Sequence, residues 1–329
     1  MKSKQATIPV IFDHDGGIDD ILSLLLTLTM EQVDLKGVCI TPADCYPDDA
    51  LVSSLKLLTL AERSEVPVAV GELVGPNPFP PEWRAQPRIC HTMPAMLRIN
   101  ESREAVSALP AHLWLKQYLQ DTPDKVTMVL TGPATNLAWV LQHYPALAEK
   151  LQTVIWMGGA ITVKGNVAMH DHNGSAEWNA YWDPKATQAL ITSRAPLLMV
   201  PLDATNTLPV NKAFLQTLAH TDTALSDLAG QLWANTVTAI PAYEFTYFLW
   251  DILATSLLGL NEEAYSVSED CLQVSVTTPN AGQTYRCSSG NPVRWVSQVN
   301  PQIVIDYVIN QFTGDHKKLL SSQNVNEVL

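Results

Sequence analysis

The chain is 329 residues long and 47% hydrophobic, enough to bury a substantial core, which tells against a disordered polymer. Its 33 acidic and 20 basic residues give a net charge of -13, and with no dense Lys/Arg run the phosphates of nucleic acid have no basic footprint to meet. Five scattered cysteines (Cys39, Cys45, Cys90, Cys271, Cys287) without a C-x-x-C pair argue against a disulfide framework or a zinc site and fit a reducing compartment.

Apolar, β-branched runs predict strands at 8–12, 33–40, 66–70, 125–131, 151–157 and 196–202. Helical patterns separate them near 19–29, 48–64, 102–120, 133–149 and 184–193. Near-continuous apolar strands alternating with helices predict an α/β protein: a doubly wound, mostly parallel sheet with helices on both faces. Within this series GPNPFPPEWRAQPRICHTMP (75–94) is too proline-rich for a helix or a central strand and reads as a long functional loop around Phe79 and Trp83. The tail reads as helical through about 212–260, then as small extra C-terminal strands at 271–277, 283–288 and 293–298, with a last helix near 301–312. No repeat or low-complexity linker interrupts the chain, so 1–329 reads as a single domain. The stretch MKSKQATIPVIF is too short of apolar residues for a signal peptide, and no uncharged run reaches a membrane span. A cytoplasmic location without a membrane partner is expected.

The polar oddities sort to one edge of that sheet. DHDGGIDD (13–20) follows the first strand, Ala43-Asp44 the second, Thr131-Gly132-Pro133 the fourth, Gly158-Gly159 the fifth and Asp203 the sixth. In open α/β sheets the carboxyl edge is where ligands bind. Asp13, Asp15, Asp19 and Asp20 repel one another unless a positive charge or protons sit among them. Oxygen-only ligands suit a hard cation, Ca²⁺ or Mg²⁺. One aspartate could cap the following helix, but a cap does not explain four. Downstream, GNVAMHDHNGSAEWNAYWDP (165–184) sets Asn166, Glu177 and Asn179 among aromatics, the donors, acceptors and wall that a sugar needs. His170 and His172 form a possible zinc pair without a third ligand nearby. In FLWDILA (248–254), Asp251 interrupts an apolar helical run, and such an acid must cap, pair or ligate.

Together these residues resemble the nucleoside hydrolase family, which cleaves the N-glycosidic bond of ribonucleosides. The D-x-D-x-G-x-D-D start, TGPATNLA (131–138), MGGA (157–160), the GN…AEWN pair and Trp250-Asp251 occur in the family's order, over roughly residues 8–260. The DHDG opening, ADC (43–45), NPFPPEWR (77–84), AEWNAYWDP (176–184) and LDATNT (202–207) resemble its purine-preferring, inosine-adenosine-guanosine branch. The resemblance implies a Rossmann-like nucleoside hydrolase fold and a Ca²⁺ held by Asp15, Asp20, Asp251 and the carbonyl oxygen of Thr131. It further implies Asp15 as general base, a ribose gripped by Asp19, Asp44, Asn166, Glu177 and Asn179, and Asp13 as a tie between strand and loop. A small nucleoside substrate and a homodimer or homotetramer follow from the same likeness.

Leaving-group help separates the branches. Pyrimidine-tolerant members carry a histidine just before the metal-binding aspartate, where this chain has Trp250. Trp250 and Trp83, stacked on a purine, would favour its protonation at N7 and so share in catalysis; such an attraction of cation to ring is worth ~0.5–2 kcal/mol, or about two- to thirtyfold in rate. Two features depart from the purine branch. Gly17 replaces an asparagine that contacts the ribose, and the shortened stretch IPAYEFTYFL (240–249) lacks an arginine-bearing loop, leaving Tyr243 or Tyr247 to close the site. Two rival readings stand beside this one. A haloacid dehalogenase-type phosphatase would use Asp13 as nucleophile, Asp15 as acid/base and Mg²⁺; a non-catalytic nucleoside binder would keep the pocket without turnover.

Overall fold

The computed structural model describes residues 7–81, 83–238 and 246–314. The strands are β1 (Ile8–His14), β2 (Val33–Ile40), β3 (Val68–Val70), β4 (Val126–Leu130), β5 (Leu151–Met157), β6 (Leu197–Val200), β7 (Pro209–Val210), β8 (Tyr247–Phe248), β9 (Tyr265–Val274), β10 (Thr284–Arg286) and β11 (Asn291–Val299). Nine of them form one sheet in the order β10-β9-β11-β6-β5-β4-β1-β2-β3. From β11 to β3 every neighbouring pair is parallel, and β9 runs antiparallel to both β10 and β11. This is the expected doubly wound, mostly parallel sheet with extra strands at its C-terminal edge.

Side chains alternate across the sheet with the period of two that strands impose. Val10 and Phe12 of β1 pack on one face with Ile21, Leu25, Leu55 and Leu253, from helices Ile18–Thr29, Pro47–Leu60 and Trp250–Ser256. Ile11 points to the other face, against Leu115, Leu119, Leu137 and Leu190 of helices Ala111–Asp121, Thr135–His143 and Pro184–Thr192. Burial on both faces is why these strands read as continuous apolar runs rather than as alternating ones. Among the described residues no helix is long and apolar enough to cross a membrane.

Several boundaries differ from the sequence reading, mostly at prolines. The helix expected over 102–120 starts at Ala111, with Pro110 as its cap, while Val106 pairs with Val68 beside the sheet. The one expected over 133–149 splits at Pro145 into helix Thr135–His143 and a 3₁₀ turn, Pro145–Lys150. The supposed loop 75–94 holds a 3₁₀ turn at Trp83–Ala85 and a helix, Gln86–Thr92, and Pro94 starts a further turn. There Pro87 and Pro94 sit in first turns, where a missing N–H costs nothing. Strand β9 begins at Tyr265, earlier than the expected 271.

What positions the site is the strand order. It reverses between β1 and β4, whose neighbours run outward in opposite directions, so the loops after these two strands part and leave a crevice at their carboxyl ends. Asp15 follows β1 and Thr131 follows β4.

Candidate active site

A cavity of about 690 Å³ opens at this crevice. Asp15, Asp19, Asp20, Asp44, Trp83, Thr131, Asn166, Glu177, Asn179, Tyr247, Trp250 and Asp251 all line it, so every described residue that the family resemblance implies for metal, ribose or base reaches one place, whereas Asp203 lies outside it. Tyr243, the alternative to Tyr247, lies outside the described residues. The reading missed Ile18, Gln86, Ile89, Met157, Asn235 and Thr236, which line the same cavity. Gln86 and Ile89 belong to the helix that the prolines concealed.

The floor is built by the turn after β1. Gly16 has φ +88°, and a Cβ there would meet the Cys45 Cβ at 2.6 Å; only glycine takes this turn without strain. Gly132, after β4, lies against Asp15, where a Cβ would come within 2.7 Å of the Asp15 Cβ. The turn delivers Asp19 and Asp20 to the start of helix Ile18–Thr29, the end whose dipole favours negative charge. Asp20 accepts hydrogen bonds from the amides of Asp15 (3.3 Å) and Gly17 (2.8 Å) and from Thr131 Oγ1 (2.5 Å), tying β1 to β4. The Asp44 amide donates to Asp15 Oδ2 at 3.3 Å, and Tyr247 donates to Asp19 Oδ1 at 2.7 Å.

Six carboxyls (Asp15, Asp19, Asp20, Asp44, Glu177 and Asp251) line the cavity, and the described lining contains no lysine, arginine or histidine. Burial raises the pKa of every one of them. Asp20 is pushed to about 6 and Glu177 to about 7, while Asp15, Asp44 and Asp251 go well above the carboxylate range, the neighbouring acids adding to burial. Asp20, close beside Asp15, adds to the rise there, as Asp19 does at Asp251. Two carboxyls can approach like this only with a proton or a cation between them. Ligand oxygens of Asp19, Asp20 and Asp251 lie within 4.8 Å of one another, all buried. The donor set is entirely oxygen, so a hard divalent cation fits. This tightest triple includes Asp19, which the sequence reading assigned to the sugar.

The polar wall opposite is braced from within. Glu177 caps helix Trp178–Trp182: Oε1 accepts from the Asn179 amide (2.8 Å), and Oε2 from the amides of Ala180 (3.1 Å) and Gly159 (2.9 Å). Asn179 Nδ2 donates to the carbonyls of Thr131 (2.8 Å) and Met157 (3.0 Å), crossing the ends of β4 and β5. The Thr131 carbonyl thus has one lone pair engaged and one left for another partner. Asn166 Oδ1 accepts from the Trp178 amide at 3.2 Å. Trp83 and Trp250 belong to separate aromatic groups. Trp83 meets Trp178 edge-on at 4.9 Å, with Phe79 behind, whereas Trp250 meets Tyr247 edge-on at 4.6 Å.

Two sequence readings lose their footing here. Asp13 is 1% exposed and accepts from Thr41 Oγ1 (3.0 Å) and Asn136 Nδ2 (3.3 Å), so it ties β1 to its neighbours and cannot reach a phosphate ester as a nucleophile. Both ring nitrogens of His172 are engaged, with the Ala281 carbonyl at 2.9 Å and the Gly174 amide at 3.0 Å, which removes the zinc pair.

The model of the inosine-uridine preferring nucleoside hydrolase family matches residues 10–313. The chain is 28% identical to the pyrimidine-specific ribonucleoside hydrolase RihA of Salmonella arizonae over 242 residues, covering 68% of this chain and 70% of that one. The crystal structure of an inosine-uridine preferring nucleoside hydrolase from Bacillus anthracis superposes with a TM-score of 0.86 at 32% identity, covering 93% of this chain and 99% of that one. A purine-preferring ribonucleoside hydrolase from Gardnerella vaginalis shares the fold, with a TM-score of 0.78 at 21% identity over 94% of this chain and 99% of that one.

Proposed function

We propose that this chain, which belongs to the inosine-uridine preferring nucleoside hydrolase family and is a ribonucleoside hydrolase, prefers purine ribonucleosides. The observation that carries this reading is the composition of the cavity: an acid floor, aromatic walls with Trp83 and Trp250, and no histidine among the described lining residues. A pyrimidine needs an acid to leave. A purine can instead take a proton from solvent at N7, and two indole faces favour the cation so formed.

On this reading Asp15, Asp20, Asp251 and the carbonyl oxygen of Thr131 would hold a divalent cation, Ca²⁺ by our assignment. When bound, the cation supplies charge that holds a water and the ribose diol and keeps the buried aspartates ionised. The ribose lies between the acid floor and the wall of Asn166, Glu177 and Asn179, with Asp19 and Asp44 beside it. Glu177 and Asn179 have their oxygens or amide hydrogens committed to backbone, which supports a rigid wall more than adaptable grips. As the C1′–N bond stretches, positive charge grows on the sugar, and the surrounding carboxylates stabilise it. Asp15 accepts the proton of the attacking water late, once C1′ already draws the electrons of that water.

A pyrimidine preference is the second reading, and the pyrimidine-specific relatives favour it. Reducing-sugar release from inosine and from uridine, in wild type and Asp15→Asn, with Ca²⁺ and after chelation, decides between them. Purine preference predicts fast release from inosine and little from uridine, both lost in the variant and on chelation. Equal or faster release from uridine overturns the preference while leaving the hydrolase in place.

A further inference from the structure

The described lining offers the departing base no histidine, lysine or arginine, and its carboxyls are gathered at the floor and the polar wall, so a donor at the mouth would have to take up the electron density that the base carries away. We infer that Gln86 is a specificity-determining residue that donates a hydrogen bond from Nε2 to an exocyclic carbonyl oxygen of the nucleobase, selecting 6-oxopurines over adenine. The inference rests on the purine reading above for where the base lies.

Gln86 stands at the start of helix Gln86–Thr92, three residues beyond Trp83 and three before Ile89, and all three side chains line the cavity. Ile89 is 42% exposed, so this helix forms the mouth, whereas the acids at the floor are at most 6% exposed in the case of Asp15, Asp19, Asp20 and Asp251. A ribose held at the floor puts its base at this mouth. The backbone N–H of Ile18, at the head of the acid helix, donates to Gln86 Oε1 at 3.0 Å. That bond fixes which way the amide faces, because only oxygen can accept from an N–H. Gln86 is therefore held by its oxygen, and its two amide hydrogens have no protein partner among the described residues.

Two further polar side chains of the lining, Asn235 and Thr236, are spent locally. Asn235 Nδ2 donates to the carbonyls of Gln231 and Leu232 in its own helix, and Thr236 Oγ1 to that of Trp233. The base leaves with electron density spread onto any carbonyl oxygen it carries. A donor already in place then binds the transition state more tightly than the nucleoside and costs no reorganisation. Hypoxanthine and guanine offer such an oxygen at position 6. Adenine offers an amino group there, which turns two donors towards each other.

The test compares kcat/KM for inosine, adenosine, uridine and 4-nitrophenyl β-D-ribofuranoside, whose phenolate leaves without help, in wild type, Gln86→Glu and Gln86→Leu. Gln86→Glu keeps an oxygen for the Ile18 amide but replaces the donor with an acceptor. Wild type is expected to favour inosine over adenosine. In Gln86→Glu the inosine value should fall roughly ten- to hundredfold, the scale of one hydrogen bond to a charged group, and far further than the values for adenosine or the nitrophenyl riboside. An equal fall on all substrates in Gln86→Glu, or no fall on inosine, overturns the inference. If wild type cleaves uridine in preference to inosine, the purine reading fails by itself. Gln86 is then judged on the uridine to nitrophenyl riboside ratio, where an unchanged ratio overturns it and a collapsed one supports a carbonyl donor. Gln86→Leu loses anchor and donor together, so a drop confined to that variant assigns Gln86 to bracing alone and overturns base reading.

Discussion

Tyr247 Oη donates a 2.7 Å hydrogen bond to Asp19 Oδ1, joining β8 to the acid helix across 228 positions of sequence. Burial and the neighbouring aspartate push the phenol well above its ordinary pKa, so it remains a donor at any working pH. The bond holds Asp19 at the cavity with one oxygen engaged. Tyr247→Phe keeps the ring against Trp250 and removes only this bond. On our assignment of Asp19 to the ribose, KM for inosine should rise roughly tenfold, with kcat changed less, as expected for a hydrogen bond made to a charged group in both ground and transition states. Initial-rate kinetics decide it; an unchanged KM would remove Tyr247 from substrate binding.

The packing of Asp19, Asp20 and Asp251 makes cation binding measurable apart from turnover. Calorimetric titration of Ca²⁺ into chelator-treated protein should show a site, and Asp251→Asn should weaken it by roughly a hundredfold, equivalent to about 3 kcal/mol for one charged contact. Because the folded chain alone gathers these oxygens, saturation at a hundred times Kd should add about 2.7 kcal/mol of stability, seen as a higher Tm. A flat titration with unaltered Tm would sink the cation assignment.

Much of this site could be read before the fold was seen, and the reasons are physical. Four aspartates in eight positions between a strand and a helix violate ordinary charge spacing, and Asp251 violates an apolar helix, so both stand out. Gln86, Ile89, Asn235 and Thr236 violate nothing: they are ordinary helix residues whose place at the mouth depends on how helices Gln86–Thr92 and Ala224–Thr238 pack. Pro87 and Pro94 hid the first of those helices because proline ends a helix in its interior but fits its first turn. The strand order was equally out of reach. Apolar runs predict strands, yet the reversal between β1 and β4 arises from which strands pair, a matter of tertiary packing.

Glu177 offers a pH signature well removed in sequence from the aspartate cluster. Burial raises its pKa to about 7 even though three backbone amides donate to it. In the unfolded chain it ionises near 4.5. Between these values the folded state holds the extra proton. Glu177's contribution to stability is therefore full below about pH 4.5, declines as pH rises towards 7, and is gone above it. Glu177→Gln should flatten that part of the stability curve in chelated protein. It should also cost roughly 1–3 kcal/mol at every pH, because an NH₂ group now faces amides that need an acceptor. Chemical denaturation from pH 4.5 to 8 tests both; a parallel pair of curves would refute the titration.

The tryptophans can be separated because they sit in different aromatic groups, Trp83 against Trp178 and Trp250 against Tyr247. Replacement by phenylalanine keeps apolar bulk at each wall while weakening the attraction of a ring face for a protonated purine. Each single variant should lower kcat on inosine about two- to thirtyfold if N7 protonation is the leaving-group step. Uridine has no basic nitrogen of that kind, so its rate, however slow, should move much less. A base gripped from both sides feels both rings at once, and the Trp83→Phe/Trp250→Phe double variant should then lose a different amount from the sum of the single free-energy losses. Rapid-quench measurement of the chemical step on inosine and uridine gives all four corners of that cycle. Equal losses on the two nucleosides would mean that the indoles only shape the pocket, and the purine preference would have to come from elsewhere in it.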